Sequence, residues 1–231
     1  MAKTRLHLID DWQVESVVLA NLLPDDARVL FIYNEDYERI KKICKEKNIT
    51  ATIMNDDVSA LEKARNYNFD ILFGNINAGQ LNDVADKSFD CIVAEDVIKS
   101  ARYPSDFLLE MLKKTDNLII SNTNRAHWKK RLKFLFTGSM YISNQYDVIP
   151  DDKYAWFNKN PWSLSHKDIL HLCNCQSLTM QKGVIIYKNG VLDNIYDLRS
   201  SPNFHADKIY YLITENATVK PLFKMDVPAL S

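Results

Sequence analysis

The stretch SFDCIVAEDVIKSARYPSDFLLEMLKKTDNLIIS, residues 88–121, contains two strand patterns with a helix pattern between them. Residues 88–94 and 118–121 each include a short apolar run, which is typical of strands buried inside a sheet. Residues 104–114 have a helical pattern, and Pro104 suits the first turn of a helix because an N–H there would have no partner within the helix. This strand–helix–strand unit predicts two parallel strands joined by a crossover helix.

The same alternation of strands and helices continues on both sides of this stretch. Further strands are predicted at residues 29–33, 49–54, 71–73, 183–187 and 208–213, and helices at residues 5–23, 35–47, 58–66, 125–137 and 165–172. Such an order indicates an α/β protein with a mostly parallel, seven-stranded sheet and helices on both faces. Little helix separates the last two strands, which predicts an antiparallel hairpin at one edge of the sheet.

Length and composition limit the classes of function. A chain of 231 residues suits one domain, predicted at residues 1–215 with a C-terminal tail at residues 216–231. A net charge of -1 gives no sign of a nucleic-acid partner. No apolar run is long enough to cross a bilayer, and Asp10 and Asp11 come too early for a signal peptide, so we expect a cytoplasmic protein without a membrane partner. The four cysteines are expected to be free thiols, and no metal site is expected.

Several blocks of the chain carry a family resemblance. They are LIDDW at residues 8–12, the stretch at residues 88–121, NTNRAHWKKRLKFLFTGSM at residues 122–140, YAWF at residues 154–157 and SPNFHADKIYYLI at residues 201–213. On these blocks the chain resembles the methionine-biosynthesis protein MetW family over residues 5–215, with order and spacing kept. The resemblance implies a Rossmann-like fold of the class I S-adenosylmethionine methyltransferase type.

The loop after the first strand lacks the glycines that this resemblance implies. In such methyltransferases these glycines permit positive φ angles and a close approach of the backbone to S-adenosylmethionine. Here the loop is FIYNEDY, residues 31–37; the family's acid falls on Phe31 and its glycines fall on Ile32, Asn34 and Asp36. We expect these side chains to fill the space of the methionine and ribose groups, with only Asn34 able to adopt a positive φ without much strain. The chain has five glycines and no other glycine-rich loop.

The other cofactor positions are altered to different degrees. The acid that binds the ribose falls on Met54, which cannot accept hydrogen bonds from two hydroxyls, and Asp56 lies two residues beyond it. The acid that binds adenine falls on Asn75, which retains hydrogen-bonding groups. Glu95 follows the fourth strand; it is interpreted as a residue at a helix N-terminus, with a general acid–base role as the alternative. The sequence therefore predicts a degenerate cofactor cleft, one that has lost part of its cofactor-binding groups, and no catalytic residues. The predicted cleft residues are Tyr33, Asn34, Asp36, Asp56, Asn75 and Glu95.

A candidate partner surface lies in the second half of the chain. Aromatic residues and arginine are enriched at protein interfaces. An aromatic-rich loop is predicted at residues 139–162, directly after the basic helix at residues 125–137. The predicted partner surface consists of Trp128, Arg131, Tyr154, Trp156 and Phe157.

Three functions remain open on this reasoning. The resemblance implies work alongside a homoserine O-acyltransferase, so the first hypothesis is a non-catalytic partner or activator of that enzyme, without a cofactor. The second is an S-adenosylmethionine-dependent methyltransferase with an atypical cofactor loop. The third is a binder of another small molecule in the remodelled cleft, through Asn34, Asn75 and Asn77. The chain contains no Gly-x-Ser-x-Gly nucleophile elbow, which argues against a hydrolase, and it contains no phosphate-binding loop.

Overall fold

The computed structural model describes residues 11–78, 81, 84–124, 126–137, 164–187, 192–194 and 202–215. Its helices are α1 (Asp11–Leu22), α2 (Tyr37–Lys47), α3 (Val58–Asn66), α4 (Pro104–Lys114), α5 (Trp128–Thr137), α6 (His166–Cys175) and α7 (Pro202–His205). Its strands are β1 (Arg28–Ile32), β2 (Thr50–Asn55), β3 (Asp70–Phe73), β4 (Cys91–Glu95), β5 (Leu118–Thr123), β6 (Thr179–Ile186), β7 (Leu192–Asn194) and β8 (Lys208–Thr214).

The strands form one mixed sheet in the order β3-β2-β1-β4-β5-β8-β6-β7. Strands β1 to β5 pair in parallel, whereas β8 runs antiparallel to both β5 and β6. The predicted class, the seven predicted strands and the antiparallel pairing of the last two are confirmed. β7 is an additional strand of three residues that pairs with the end of β6. β8 itself lies inside the sheet, between β5 and β6.

Alternate residues of each central strand pack against helices on opposite faces of the sheet. In β1, Val29 and Phe31 join the core formed with α1 and α2, whereas Leu30 and Ile32 join the core formed with α4 and α6. All four side chains are fully buried, which explains the continuous apolar run. From β1 the chain moves outward along the sheet through β2 to β3, and from β4 it moves in the opposite direction to β5. Right-handed crossovers therefore place the two sets of helices on opposite faces.

Side-chain caps determine where several helices begin. The side chain of Asp36 caps α2, and that of Asp57 caps α3. α6 begins with a capping box in which Ser165 and Asp168 satisfy each other's backbone N–H groups. The predicted cap at Ser165 is thereby confirmed.

Some sequence predictions concern parts of the chain that the structure does not describe. The first residues of the predicted helix at residues 5–23, the aromatic loop at residues 139–162 and the tail at residues 216–231 lie outside the described residues. None of the described helices is both long and apolar enough to cross a membrane.

Candidate functional site

The candidate site lies at the carboxyl edge of the sheet, between β1 and β4. These strands are parallel neighbours, with Phe31 opposite Val93, and the strand order reverses between them. Ligands of doubly wound sheets bind in the crevice outside such a switch point. Here residues 33–36 and the segment that starts at Glu95 flank the crevice.

The β1–α2 loop turns at Tyr33 and not at Asn34. Tyr33 has a φ of 51°, a left-handed conformation that is uncommon for residues other than glycine. The backbone N–H of Tyr33 donates to Met54 O at 2.9 Å, which fixes this residue at the end of β1. Asn34 instead closes an Asx turn, because its Oδ1 accepts from the N–H of Asp36 at 3.0 Å. Only Asn34 was predicted to adopt a positive φ without much strain, whereas the positive φ of this loop lies at Tyr33.

Glu95 bridges the crevice through contacts with three other elements. Asn34 Nδ2 donates to Glu95 Oε2 at 2.5 Å, and Arg39 of α2 forms an ion pair with the same oxygen. The hydroxyl of Tyr210 in β8 donates to Glu95 Oε1. The side chains of Arg39 and Glu95 are only 7% and 8% exposed. Glu95 is thus the last residue of β4 and an ion-pair partner, so the interpretation of Glu95 as a residue at a helix N-terminus is wrong.

The surroundings of this bridge keep its donors protonated. Burial by itself lowers the pKa of Arg39, but the carboxylate of Glu95 and further acids raise it above its usual value. Burial and the same carboxylate raise the pKa of Tyr210 well above its usual range. Both groups therefore remain hydrogen-bond donors to Glu95 at neutral pH.

A second group of charges extends the bridge across the sheet. Lys208 Nζ lies 2.8 Å from Glu15 Oε2 and 3.1 Å from Asp96 Oδ2. Asp96 Oδ1 also accepts hydrogen bonds from the N–H and the hydroxyl of Thr123. Burial raises the pKa of Asp96, but the positive charges of Lys208 and Lys99 lower it by more. The net result is a pKa below the usual range.

These contacts define the edge network, a connected set of side chains from α1, the β1–α2 loop, α2, β4, the residue after β4, and β8. Its members are Glu15, Asn34, Arg39, Glu95, Asp96, Lys208 and Tyr210. Its three carboxylates and two cations form alternating ion pairs and leave one negative charge in excess. The network joins both sides of the crevice through the chain's own side chains.

Met54 occupies the end of β2, at the predicted position of the ribose-binding acid. Its side chain is fully buried, and its Cε lies 2.7 Å from the place where a Cβ on Gly74 would lie. Gly74 follows β3, so the methionine packs directly against the backbone there. A larger residue at position 74 would require Met54 to move.

The three other predicted cleft residues contact one another above β2 and β3. Asn75 Nδ2 donates to Asp56 Oδ2 at 2.6 Å, and the N–H of Ile76 donates to the hydroxyl of Tyr33 at 3.3 Å. The pKa of Tyr33 is raised to about 12, because burial and the carboxylate of Asp56 raise it by more than the hydrogen bond from Ile76 lowers it. The phenol is therefore neutral at physiological pH.

Asn77 joins the loop after β3 to the segment after β4. Its Nδ2 donates to Ser100 O at 3.2 Å, and its Oδ1 accepts from the N–H of Arg102 at 2.6 Å. Its own N–H donates to Asn75 Oδ1 at 2.8 Å. Both polar groups of the side chain are therefore hydrogen-bonded within the chain. Among the described residues, no three His, Cys, Asp or Glu side chains lie together as a metal site would require.

The predicted partner surface is described only in part. Trp128 begins α5 and is 36% exposed, and Arg131 lies exposed one turn further along. Tyr154, Trp156 and Phe157 lie outside the described residues.

The sequence predicted the correct edge of the sheet but only two of the seven members of the edge network. Asn34 and Glu95 were predicted as cleft residues, and Asp36 lies beside them as the cap of α2, with Arg39 Nε 3.8 Å from its carboxylate. Arg39 and Tyr210 were not predicted. One available signal was the alternation in KIYYLI, residues 208–213, which places Lys208 and Tyr210 on the same side of the strand.

Comparison with solved structures places the chain among methyltransferase folds. An S-adenosylmethionine-dependent methyltransferase from Thermotoga maritima is 14% identical, with a TM-score of 0.58; the match covers 88% of this chain and 87% of the other. A chain of a complex containing the Haloferax volcanii Trm112 methyltransferase activator is 11% identical, with a TM-score of 0.60 and coverage of 88% and 89%. An S-adenosylmethionine-dependent methyltransferase from Archaeoglobus fulgidus is 10% identical, with a TM-score of 0.53; the match covers 88% of this chain and 91% of the other. At these identities the likeness establishes the fold alone.

Comparison with family models is more specific. A search of curated protein sequences gave no significant match. The model of methionine biosynthesis protein MetW, by contrast, matches residues 13–213, which include every described strand except the last residue of β8. The chain therefore belongs to the MetW family.

Proposed function

We propose that this protein acts in the cytoplasm as a non-catalytic partner of a homoserine O-acyltransferase in methionine biosynthesis, and that it does not use S-adenosylmethionine. The observation that carries the proposal is the bridge at Glu95. Asn34, Arg39 and Tyr210 hold this carboxylate across the crevice in which a doubly wound sheet receives its ligand. A cofactor in this crevice would have to displace a buried ion pair.

Two further cofactor positions also fit S-adenosylmethionine poorly. A buried methionine, Met54, stands where the ribose hydroxyls would need an acceptor. The loop that would approach the methionine group has no glycine and places the bulky Tyr33 at its turn. The family's role in methionine biosynthesis then favours a function through the protein surface.

Calorimetric titration tests the cofactor half of the proposal. S-adenosylmethionine and S-adenosylhomocysteine are titrated into the purified protein, with an active methyltransferase as the positive control. We expect no binding, or a Kd in the millimolar range. A micromolar Kd, about -8 kcal/mol of binding free energy, would contradict the proposal.

Reconstitution with the acyltransferase of the same organism tests the partner half. Acyl transfer to homoserine is measured at fixed enzyme concentration while this protein is added, and the Kd is measured in parallel by surface plasmon resonance. We expect saturable binding and a rise in acyl-transfer rate. Unchanged activity together with no binding would refute a partner role.

A second candidate function is an S-adenosylmethionine-dependent methyltransferase with an atypical loop. The S-adenosylmethionine-dependent enzymes among the structural neighbours favour it. It requires the contact between Asn34 and Glu95 to open, and the calorimetric titration distinguishes it from the main proposal.

Binding of another small molecule has less support. The side chains of Asn34, Asn75 and Asn77 all hydrogen-bond within the chain, so a ligand would have to replace those bonds. A thermal-shift panel of metabolites tests this function, because a ligand that binds only the folded state raises the melting temperature.

A further inference from the structure

In the part of the chain that the structure describes, helix α5 presents an apolar ridge to solvent. Trp128, Leu132, Leu135 and Phe136 are 36%, 44%, 74% and 78% exposed. Their spacing of four, seven and eight residues from Trp128 places them on one side of the helix. An amphipathic helix normally buries this side against the core, so its exposure here requires an explanation. We call these four side chains the α5 ridge.

Cations border the α5 ridge on both sides. At 100° per residue, Arg131 lies on one flank and Lys129 and Lys133 lie on the other. The sequence of the helix, WKKRLKFLFT, contains no acid. The ridge is therefore an apolar strip between two positive borders.

Some of these cations are already held in position. Arg131 Nε donates to Ala126 O at 2.6 Å, and its guanidinium lies 5.8 Å from the ring centre of Phe204. Lys129 Nζ lies 5.6 Å from the ring centre of Trp128. Side chains fixed before binding lose less conformational entropy in a complex than mobile ones do.

We infer that the α5 ridge is the docking surface for the protein partner, and that the partner presents an apolar groove bordered by carboxylates. Anchors at positions i, i+4, i+7 and i+8 match the helix-in-groove mode of recognition, and the positive borders require acidic rims for charge complementarity. This inference rests on the proposed function, which identifies the partner to be tested.

An anionic lipid surface is a less suitable occupant. Stable membrane anchoring generally needs two signals, such as a lipid chain and a polybasic patch. The whole chain has a net charge of -1, so attraction to anionic lipid would come from α5 alone, against the charge of the rest of the molecule. A protein groove accounts for both the apolar and the charged features of the helix.

The ridge is tested with the double variant Leu135→Ser/Phe136→Ser. Both side chains are exposed, so the melting temperature should stay within about 2 °C of the wild type. We expect the Kd for the homoserine O-acyltransferase to rise at least about tenfold, because these are the two most exposed apolar side chains of the ridge and a few anchors carry most of the energy of an interface. Val58→Ser, at an exposed apolar position in α3, is the matched control and should leave the Kd within twofold.

The charged borders are tested separately with Lys129→Glu/Arg131→Glu. Since complementary charges mainly accelerate association, we expect the variant to bind with a slower on-rate than the wild type. Its on-rate should also depend less on salt concentration than that of the wild type. An on-rate equal to that of the wild type would overturn the assignment of acidic rims.

The outcomes separate the ridge from the proposed function. If the wild type and the serine variant bind the acyltransferase equally, the ridge assignment is overturned and the partner role stands. If the wild type does not bind, the partner role falls, and the ridge assignment falls with it. Sedimentation with phosphatidylcholine–phosphatidylserine vesicles that is lost in the serine variant would instead assign the ridge to lipid and overturn the protein groove.

Discussion

Glu95 is the residue on which the edge network depends most. Its side chain is only 8% exposed, and its carboxylate accepts hydrogen bonds from Asn34, Arg39 and Tyr210. A buried ion pair costs desolvation energy, so its presence alone says little about net stability. Removal of Glu95 is different, because Arg39 then remains buried with only the more distant carboxylates of Glu15 and Asp36 near it, at 3.6 and 3.8 Å.

Glu95→Ala should therefore be strongly destabilising. Because Arg39 would lose its closest carboxylate, we expect the free energy of unfolding to fall by about 3–5 kcal/mol, measured by urea denaturation. Asp116→Ala is the control: its ion pair with Lys87 has side chains that are 59% and 44% exposed, and its loss should cost less than about 1 kcal/mol. A loss for Glu95→Ala no larger than that of the control would contradict the account of the bridge.

Asp96 should contribute to the dependence of stability on pH. Its pKa is lowered in the folded state, where Lys208 and Lys99 outweigh the effect of burial. The stabilisation is fully present above the unfolded-state value of about 3.9 and is lost as the pH falls through the lower folded-state value. Asp96→Asn should thus show a smaller loss of stability than the wild type when the pH is lowered from 6 to 3, measured by urea denaturation at each pH. Parallel pH curves for the two proteins would show that Asp96 carries no such linkage.

Among the helices, α6 offers the clearest test of a local signal. Its capping box joins Ser165 and Asp168, and Ser165→Ala removes the acceptor for the N–H of Asp168. We expect a loss of about 1 kcal/mol in the free energy of unfolding, measured by thermal or urea denaturation. Ser59→Ala, in the first turn of α3, removes a hydroxyl that only donates to the exposed Asp57 and should cost a few tenths of a kcal/mol. Equal losses would show that the cap at Ser165 adds no specific stability.

The elements themselves were largely predictable, and their limits less so. The strand predicted at residues 183–187 begins at Thr179, because its first half is only partly buried and lacks the apolar run that marks its second half. The three residues of β7 have no pattern of their own and pair only because β6 is adjacent. Glu95 was assigned to a helix start since acids after a strand commonly occupy that place, whereas here β4 extends to Glu95.

At the scale of the whole molecule, the fold was predictable because strand order and spacing follow from local patterns and from the family resemblance. Only two of the seven members of the edge network were predicted. Asn34 and Glu95 follow from the motif positions, but Arg39 and Tyr210 reach them from α2 and β8, far apart in the chain. Such pairings depend on tertiary packing, which no local pattern records.

The limits of the domain can be tested by truncation. We propose that residues 1–215 form the folded domain, since β8 ends at Thr214. A chain ending at residue 215 should keep the melting temperature of the full protein within about 2 °C, measured by differential scanning calorimetry. A chain ending at residue 207 loses β8, the strand that lies between β5 and β6, and should show no cooperative transition. A marked loss of stability in the longer truncation would place part of the domain beyond residue 215.

The position of β8 also has a consequence for biosynthesis. β5 and β6 leave the ribosome before their shared neighbour, so each nascent chain carries two unpaired strand edges until residues 208–214 emerge. At 5–20 residues per second, residues 124–207 take on the order of 4 to 17 s to translate, and the edge of β5 stays unpaired for this time; the edge of β6, which ends at Ile186, is unpaired only for the last part of it. Unpaired edges are templates for aggregation. Ribosome-associated chaperones should therefore matter more for this protein than for one whose sheet is completed in the order of synthesis.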